Sequence, residues 1–118
     1  MAKQVKGPQV RENLSEIAAR ASVSFPKEVE NEMQAGILAC GGATSMAQSA
    51  ILDRVLRMKT STGKPLYEAE VPYIEVQKQI RTMIKNAQVL HTGIRDKTCT
   101  VTIGISKTEL RAILRKLK

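Results

Sequence analysis

At 118 residues and a formal net charge of +8, the chain is long enough for one domain with its own core, and basic enough to point to a polyanionic neighbour. Aromatic residues are limited to Phe25, Tyr67 and Tyr73, with no Trp, so the core is expected to be aliphatic and an aromatic platform for stacked bases is excluded. Charged content of 25% predicts a folded chain, and no apolar run of ~18 residues or secretory start is evident, which predicts a soluble protein kept in a cytoplasm.

The charge is uneven along the chain. Residues 1–25 carry +2, 26–58 carry −1, 59–87 carry +2 and 88–118 carry +5. Cys40 and Cys99 have no CxxC spacing. A disulfide between them is open geometrically, but two buried free thiols are the expected state. With a single His, the chain shows no zinc-ligand pattern, and no cofactor is expected.

Residues 1–7 (MAKQVKG) predict a flexible basic arm ahead of a single domain over 8–118. Pro8 suits a first helical turn, and Val10, Leu14, Ile17, Ala18 and Ala21 form an apolar stripe opposite Arg11, Glu12, Glu16 and Arg20, which predicts an amphipathic helix. Ser22 to Phe25 interrupts it. A second, much longer helix is predicted from Pro26 to Met58, with Glu28, Glu30 and Glu32 at its N-terminal end. Its apolar or small face runs through Val29, Met33, Gly36, Ile37, Cys40, Thr44, Ala47, Ile51, Val55 and Met58. Two mid-helix glycines, Gly41 and Gly42, cost roughly 2 kcal/mol against alanine. The unbroken phase across them predicts one helix, bent or closely packed there, with Gly36, Gly41 and Gly42 as close-packing positions.

KTSTGKPL (59–66) reads as a loop, and Pro72 opens another helix with Val76, Ile80, Met83, Ile84 and Ala87 on one face and Lys78, Arg81 and Lys85 on the other. The period then changes. VLHTGI (89–94), a polar RDKT (95–98) and CTVTIGI (99–105) predict a β-hairpin, with Cys99, Val101, Ile103 and Ile105 facing one way. A hairpin alone is marginal, so it must pack on the helices or join another subunit's sheet. Ser106 and Glu109 form a capping box ahead of Leu110, Ile113, Leu114 and Leu117, predicting a final helix decorated by Lys107, Arg111, Arg115, Lys116 and Lys118. The resulting fold class is α+β: a long helix and two or three further helices packed with a C-terminal hairpin.

No catalytic constellation emerges. His91 lies in a predicted strand without an acid or nucleophile at useful spacing, and reads as structural. Glu68 and Glu70 share a face of an extended segment, but nothing nearby supplies a pocket. TSTGKP (60–65) lacks the upstream glycine of a phosphate loop and has Pro65 where Ser or Thr is required. The chain is therefore expected not to be an enzyme. Arg95, Lys97, Lys107, Arg111 and Arg115 are the candidate nucleic-acid contacts, and helix-then-hairpin order is that of a winged-helix module, so a small basic DNA-binding regulator is one reading.

ENLSEIAARASVSFPKEVENEMQAGILACGGATSMAQSAILDRV (12–55) resembles the start of the minor tail protein Z family of lambda-like phages, which opens with a short ENLS-type amphipathic helix, a proline and a long Ala/Ser-rich helix. IKNAQVLHTGIRD (84–96) is a looser echo. The wider group of phage head–tail connector and tail-completion proteins shares a long small-residue helix packed on a β-sheet. The resemblance implies a non-enzymatic virion protein, assembled in the host cytoplasm as a homo-oligomeric ring with other tail or neck proteins. Such rings surround a DNA path, which implies non-specific DNA contact and no membrane partner.

Overall fold

The computed structural model describes residues 7–58, Gly63 and 73–115. Residues 1–6 of the predicted arm at 1–7, the loop at 59–66 apart from Gly63, Tyr67, Glu68, Glu70, Pro72 and the last three residues, Lys116, Leu117 and Lys118, lie outside them. Along the chain run strands β1 (Gln9–Glu12) and β2 (Glu16–Ser24), helices α1 (Glu32–Leu56) and α2 (Tyr73–Lys85), strands β3 (Gln88–Arg95) and β4 (Thr98–Ser106), and helix α3 (Lys107–Leu114). The strands form one antiparallel sheet in the order β1-β2-β4-β3, with the helices on one side. The protein is α+β, with the long helix and the C-terminal hairpin in the expected places.

The N-terminal segment is a correction. Residues 9–24 are not a helix but a β-hairpin. Its three-residue loop is closed by Asn13, whose Oδ1 accepts from the backbone N–H of Ser15 and Glu16, both at 2.8 Å. EIAARASVS (16–24) carries two periods at once, because alanine at 18, 19 and 21 satisfies either a helical stripe or strand alternation. The strand wins because Glu16–Ser24 pairs with Ser106–Thr98 over nine consecutive positions, an extended ladder that a free helix could not match. Ile17, Ala19, Ala21 and Val23 then face the helices, opposite Ile105, Ile103, Val101 and Cys99.

α1 starts six residues later than predicted. Asn31 caps it, its Oδ1 accepting from the Gln34 N–H at 3.1 Å, so Pro26, Glu28 and Glu30 lie before the first turn. The helix is continuous through Gly41 and Gly42. Its buried stripe is Ala35, Gly36, Ala39, Ala43, Ala47, Ile51 and Val55; Met33 and Ile37, expected on that face, are 78% and 67% exposed. Four alanines in i+4 steps let the helix lie close over β2 and β4, while Ile51 and Val55 at its far end join the core that holds Val76 and Ile80 of α2 and Leu110 of α3.

The glycines do not make that close approach. A Cβ at Gly41 would meet nothing within 4 Å; at Gly36 it would lie 3.5 Å from Phe25 Cζ, and at Gly42 3.6 Å from Val23 Cγ2, both ordinary van der Waals distances. Close packing at Gly41 is thus overturned. α1 is also long and apolar enough, by length and composition, to cross a membrane: Met33 to Leu52 carries no charge, its apolarity spread over alanine, glycine and cysteine. Here the same helix is the cover of the sheet.

Cys40 and Cys99 are disulfide-bonded, Cα–Cα 5.2 Å, which corrects the expectation of free thiols. Sequence spacing could not show that α1 lays Cys40 over the start of β4. The C-terminal hairpin follows its prediction, with Cys99, Val101, Ile103 and Ile105 buried. Its turn is shorter than expected: Asp96 (φ 51°) and Lys97 (φ 56°) alone form a two-residue turn with both residues left-handed. The hairpin is not isolated, since β4 is a central strand hydrogen-bonded to β2. Ser106 caps α3 as predicted, its Oγ accepting from the N–H of Thr108 and Glu109.

Candidate functional site

The five basic residues singled out in the sequence do not form one surface. Arg95 and Lys97 stand exposed at the β3–β4 turn. Lys107, Arg111 and Arg115 follow the opposite end of β4, about 27 Å away at the rise of a nine-residue strand. Lys107 is also engaged structurally, which removes it from the candidate nucleic-acid contacts. Its Nζ lies 2.6 Å from Glu12 Oε2, while Arg54 Nη2 lies 2.6 Å from Glu12 Oε1. The hydrogen bond from Lys107 is the main cause holding the Glu12 carboxyl below its ordinary range; burial opposes it, and the charges of Arg54 and Lys107 assist. This cluster ties β1 to α1 and to the start of α3. Arg111 Nη2 reaches the Leu14 carbonyl at 3.5 Å, and Arg115 is exposed.

The face of the sheet turned away from the helices has no described helix over it and is mainly polar, with Leu90 and Glu16 both lying over Gly104. Cross-strand pairing places on it Gln9 and Arg11 of β1, Ala18, Arg20, Ser22 and Ser24 of β2, Thr98, Thr100 and Thr102 of β4, and His91, Gly93 and Arg95 of β3. Ser22 and Thr100 share a hydrogen bond of 2.7 Å between hydroxyls. Arg20 faces Gln9 on one side and Thr102 on the other, and Arg11 is its diagonal neighbour across from Ala18. Together Gln9, Arg11, Ala18, Arg20 and Thr102 line a shallow concavity of about 170 Å³. Sequence analysis placed Arg11 and Arg20 on the solvent side of a helix and missed their meeting; only the β1–β2 register brings them side by side.

The second feature is the β3 edge. All its residues but Gly93 are exposed, including Val89 (57%), Leu90 and Ile94 (57%). A register shift at Val89–His91 sets Leu90 over Gly104, where a Cβ would come within 3.0 Å of Leu90 Cδ1. α1 packs on β2 and β4 and leaves the helix-side face of β3 largely bare. Around α1, Gly42 turns to Val23 of β2, Cys40 to Cys99 of β4 and Gly36 to Ile94 of β3. Met33 and Ile37 therefore project on the β3 flank, next to the bare strand.

A wide groove between α2 and α3 has Met83, Ala112 and Ile113 along it and Glu75, Lys78, Thr82, Asn86 and Glu109 at its sides. None of the described residues that line it pairs a nucleophile with a base. Among the described residues no group of three His, Cys, Asp or Glu side chains could hold a metal ion. Comparison with protein-family models, with curated proteins and with solved structures finds no match to this chain.

Proposed function

We propose that this protein is a non-catalytic structural subunit that works by self-association, in the role its resemblance to phage tail-completion and connector proteins implies. One observation carries the reading: among the described residues β3 is an eight-residue edge strand with no partner on its outer edge and little cover on its faces. QVLHTGI (88–94) has no charge and no proline, the usual guards against edge pairing. The occupant it fits is a second copy of the chain. Two molecules of net charge +8 repel over most of their surface, and this strand is a place where they can meet without opposing charges. Antiparallel pairing of β3 with its own copy about a two-fold axis would extend the sheet and set Met33, Ile37, Val89 and Ile94 of both copies against each other. β1, with four residues and the charges of Arg11 and Glu12, is a poorer partner for β3.

The test is molar mass by sedimentation velocity across a concentration series, with Ile94→Lys and Val89→Lys alongside. Dimers or larger species that fall to monomer in both variants support the reading. A wild-type chain that stays monomeric, or variants that keep the wild-type mass, overturn it. A second reading, a small basic DNA-binding regulator, draws on the exposed Arg95 and Lys97 at the hairpin tip. It requires different affinities for unrelated duplexes, so equal binding to two unrelated sequences removes it.

A further inference from the structure

We infer that the open sheet face is a binding site for the phosphodiester backbone of double-stranded nucleic acid, centred on Arg11 and Arg20. The two arginines stand on adjacent strands at diagonal positions, a separation of roughly 7–8 Å between backbones. Neither makes an ion pair or hydrogen bond among the described residues, so two guanidinium groups are left to a ligand. Neither of the two nearby acids is paired with them. Glu12 lies on the helix side of the sheet, bound to Arg54 and Lys107. Glu16 shares the open face and, like Arg20, is a diagonal neighbour of Arg11, but its carboxylate leans over Gly104 and forms no ion pair with either arginine among the described residues.

The surroundings select the class of anion. Ala18 between the arginines leaves the concavity shallow, so a ligand can reach both guanidinium forks and the neutral donors of Gln9 and Thr102. From there the hydroxyls of Ser22, Thr100 and Thr102 continue across the centre of the sheet to His91 and Arg95 on β3. Four strands give a mainly polar face about 14 Å wide, with Arg11 and Arg20 at one margin and Arg95, 4.0 Å from Asp96, at the other, which suits a long polyanion laid across it better than one small ion. The face carries no aromatic ring, so bases have nothing to stack on and the contacts go to the backbone. This surface replaces the C-terminal one expected from sequence, and it does not depend on self-association through β3.

The experiment is fluorescence anisotropy of a labelled DNA duplex over a salt series, with the R11Q/R20Q and R111Q/R115Q variants. Both pairs are exposed, and circular dichroism with thermal unfolding establishes that each variant retains the fold. Loss of two phosphate contacts should lower the slope of log affinity against log salt by about 1.8 in R11Q/R20Q. R111Q/R115Q, on the helical side, should leave the slope unchanged. An unchanged slope in R11Q/R20Q, an equal fall in both variants, or no duplex binding by the wild type would overturn the inference. Inorganic phosphate, titrated against chloride at fixed ionic strength, supplies the last arm. Protection by phosphate at R11/R20 without duplex binding would mark a small-anion site and overturn the nucleic-acid assignment.

Discussion

The sheet has two edges of opposite character. Each hairpin runs from an edge strand to a central strand and then into a helix: β1–β2–α1 at one side, β3–β4–α3 at the other. β1 is short, and its last residue, Glu12, is held by Arg54 and Lys107, so that edge is locked to the helical layer. β3 is twice as long, uncharged from Gln88 to Ile94, and scarcely touched by α1. The helical layer therefore closes over β2 and β4, is tied to β1 through Glu12, and stops short of β3. The same supersecondary unit can be finished internally or left for something outside the chain, and the difference lies in where the cover helix falls.

The sharpest way to test this asymmetry is to truncate one isoleucine in the centre and one at the open edge. Ile103→Ala, in the shared core of both hairpins, should cost about 2–5 kcal/mol in urea unfolding. Ile94→Ala, more than half exposed, should cost less than about 1 kcal/mol in the monomer. Comparable losses would mean that β3 is buried as deeply as β4, by a partner or otherwise.

The locked edge is broken at Glu12. Glu12→Gln should lower stability by about 1 kcal/mol near neutral pH, discounted for the partly exposed Arg54. Because the folded-state carboxyl titrates below its unfolded value, the Glu12 contribution is full above the unfolded pKa of about 4.3. It is lost as pH falls through the lower, folded value. The gap in thermal midpoint between wild type and Glu12→Gln should therefore hold at pH 6–7 and close on acidification; a gap that widens in acid would contradict the assignment.

The smallest effect concerns the cover helix. Gly41→Ala should raise stability by about 0.5–1 kcal/mol, since a Cβ there meets nothing and alanine is the better helix former. A loss measured by thermal or urea unfolding would reinstate a close contact at that position.

Some of this molecule is written locally. Strict alternation in CTVTIGI set the facing of β4, Ser106 with Glu109 announced α3, and an apolar or small face unbroken across Gly41 and Gly42 announced one long helix. Short-range patterns of this kind are satisfied by neighbours a few residues away, so they survive into the fold. The helix start moved from Pro26 to Asn31 because a side-chain cap outcompeted a merely tolerated proline.

What only the tertiary structure decided is whatever needed a distant partner. Residues 16–24 fit helix and strand alike until β4, some eighty residues later, supplied the ladder. The pairing of Cys40 with Cys99, the capture of Lys107 by Glu12 and the meeting of Arg11 with Arg20 all follow from that one strand choice. By itself the sequence determined the C-terminal hairpin, its capped helix and the long small-residue helix, because local geometry suffices for each. The open sheet face and the bare β3 edge could be read only after β2 had joined the sheet, because a surface is defined by what the other described elements leave uncovered.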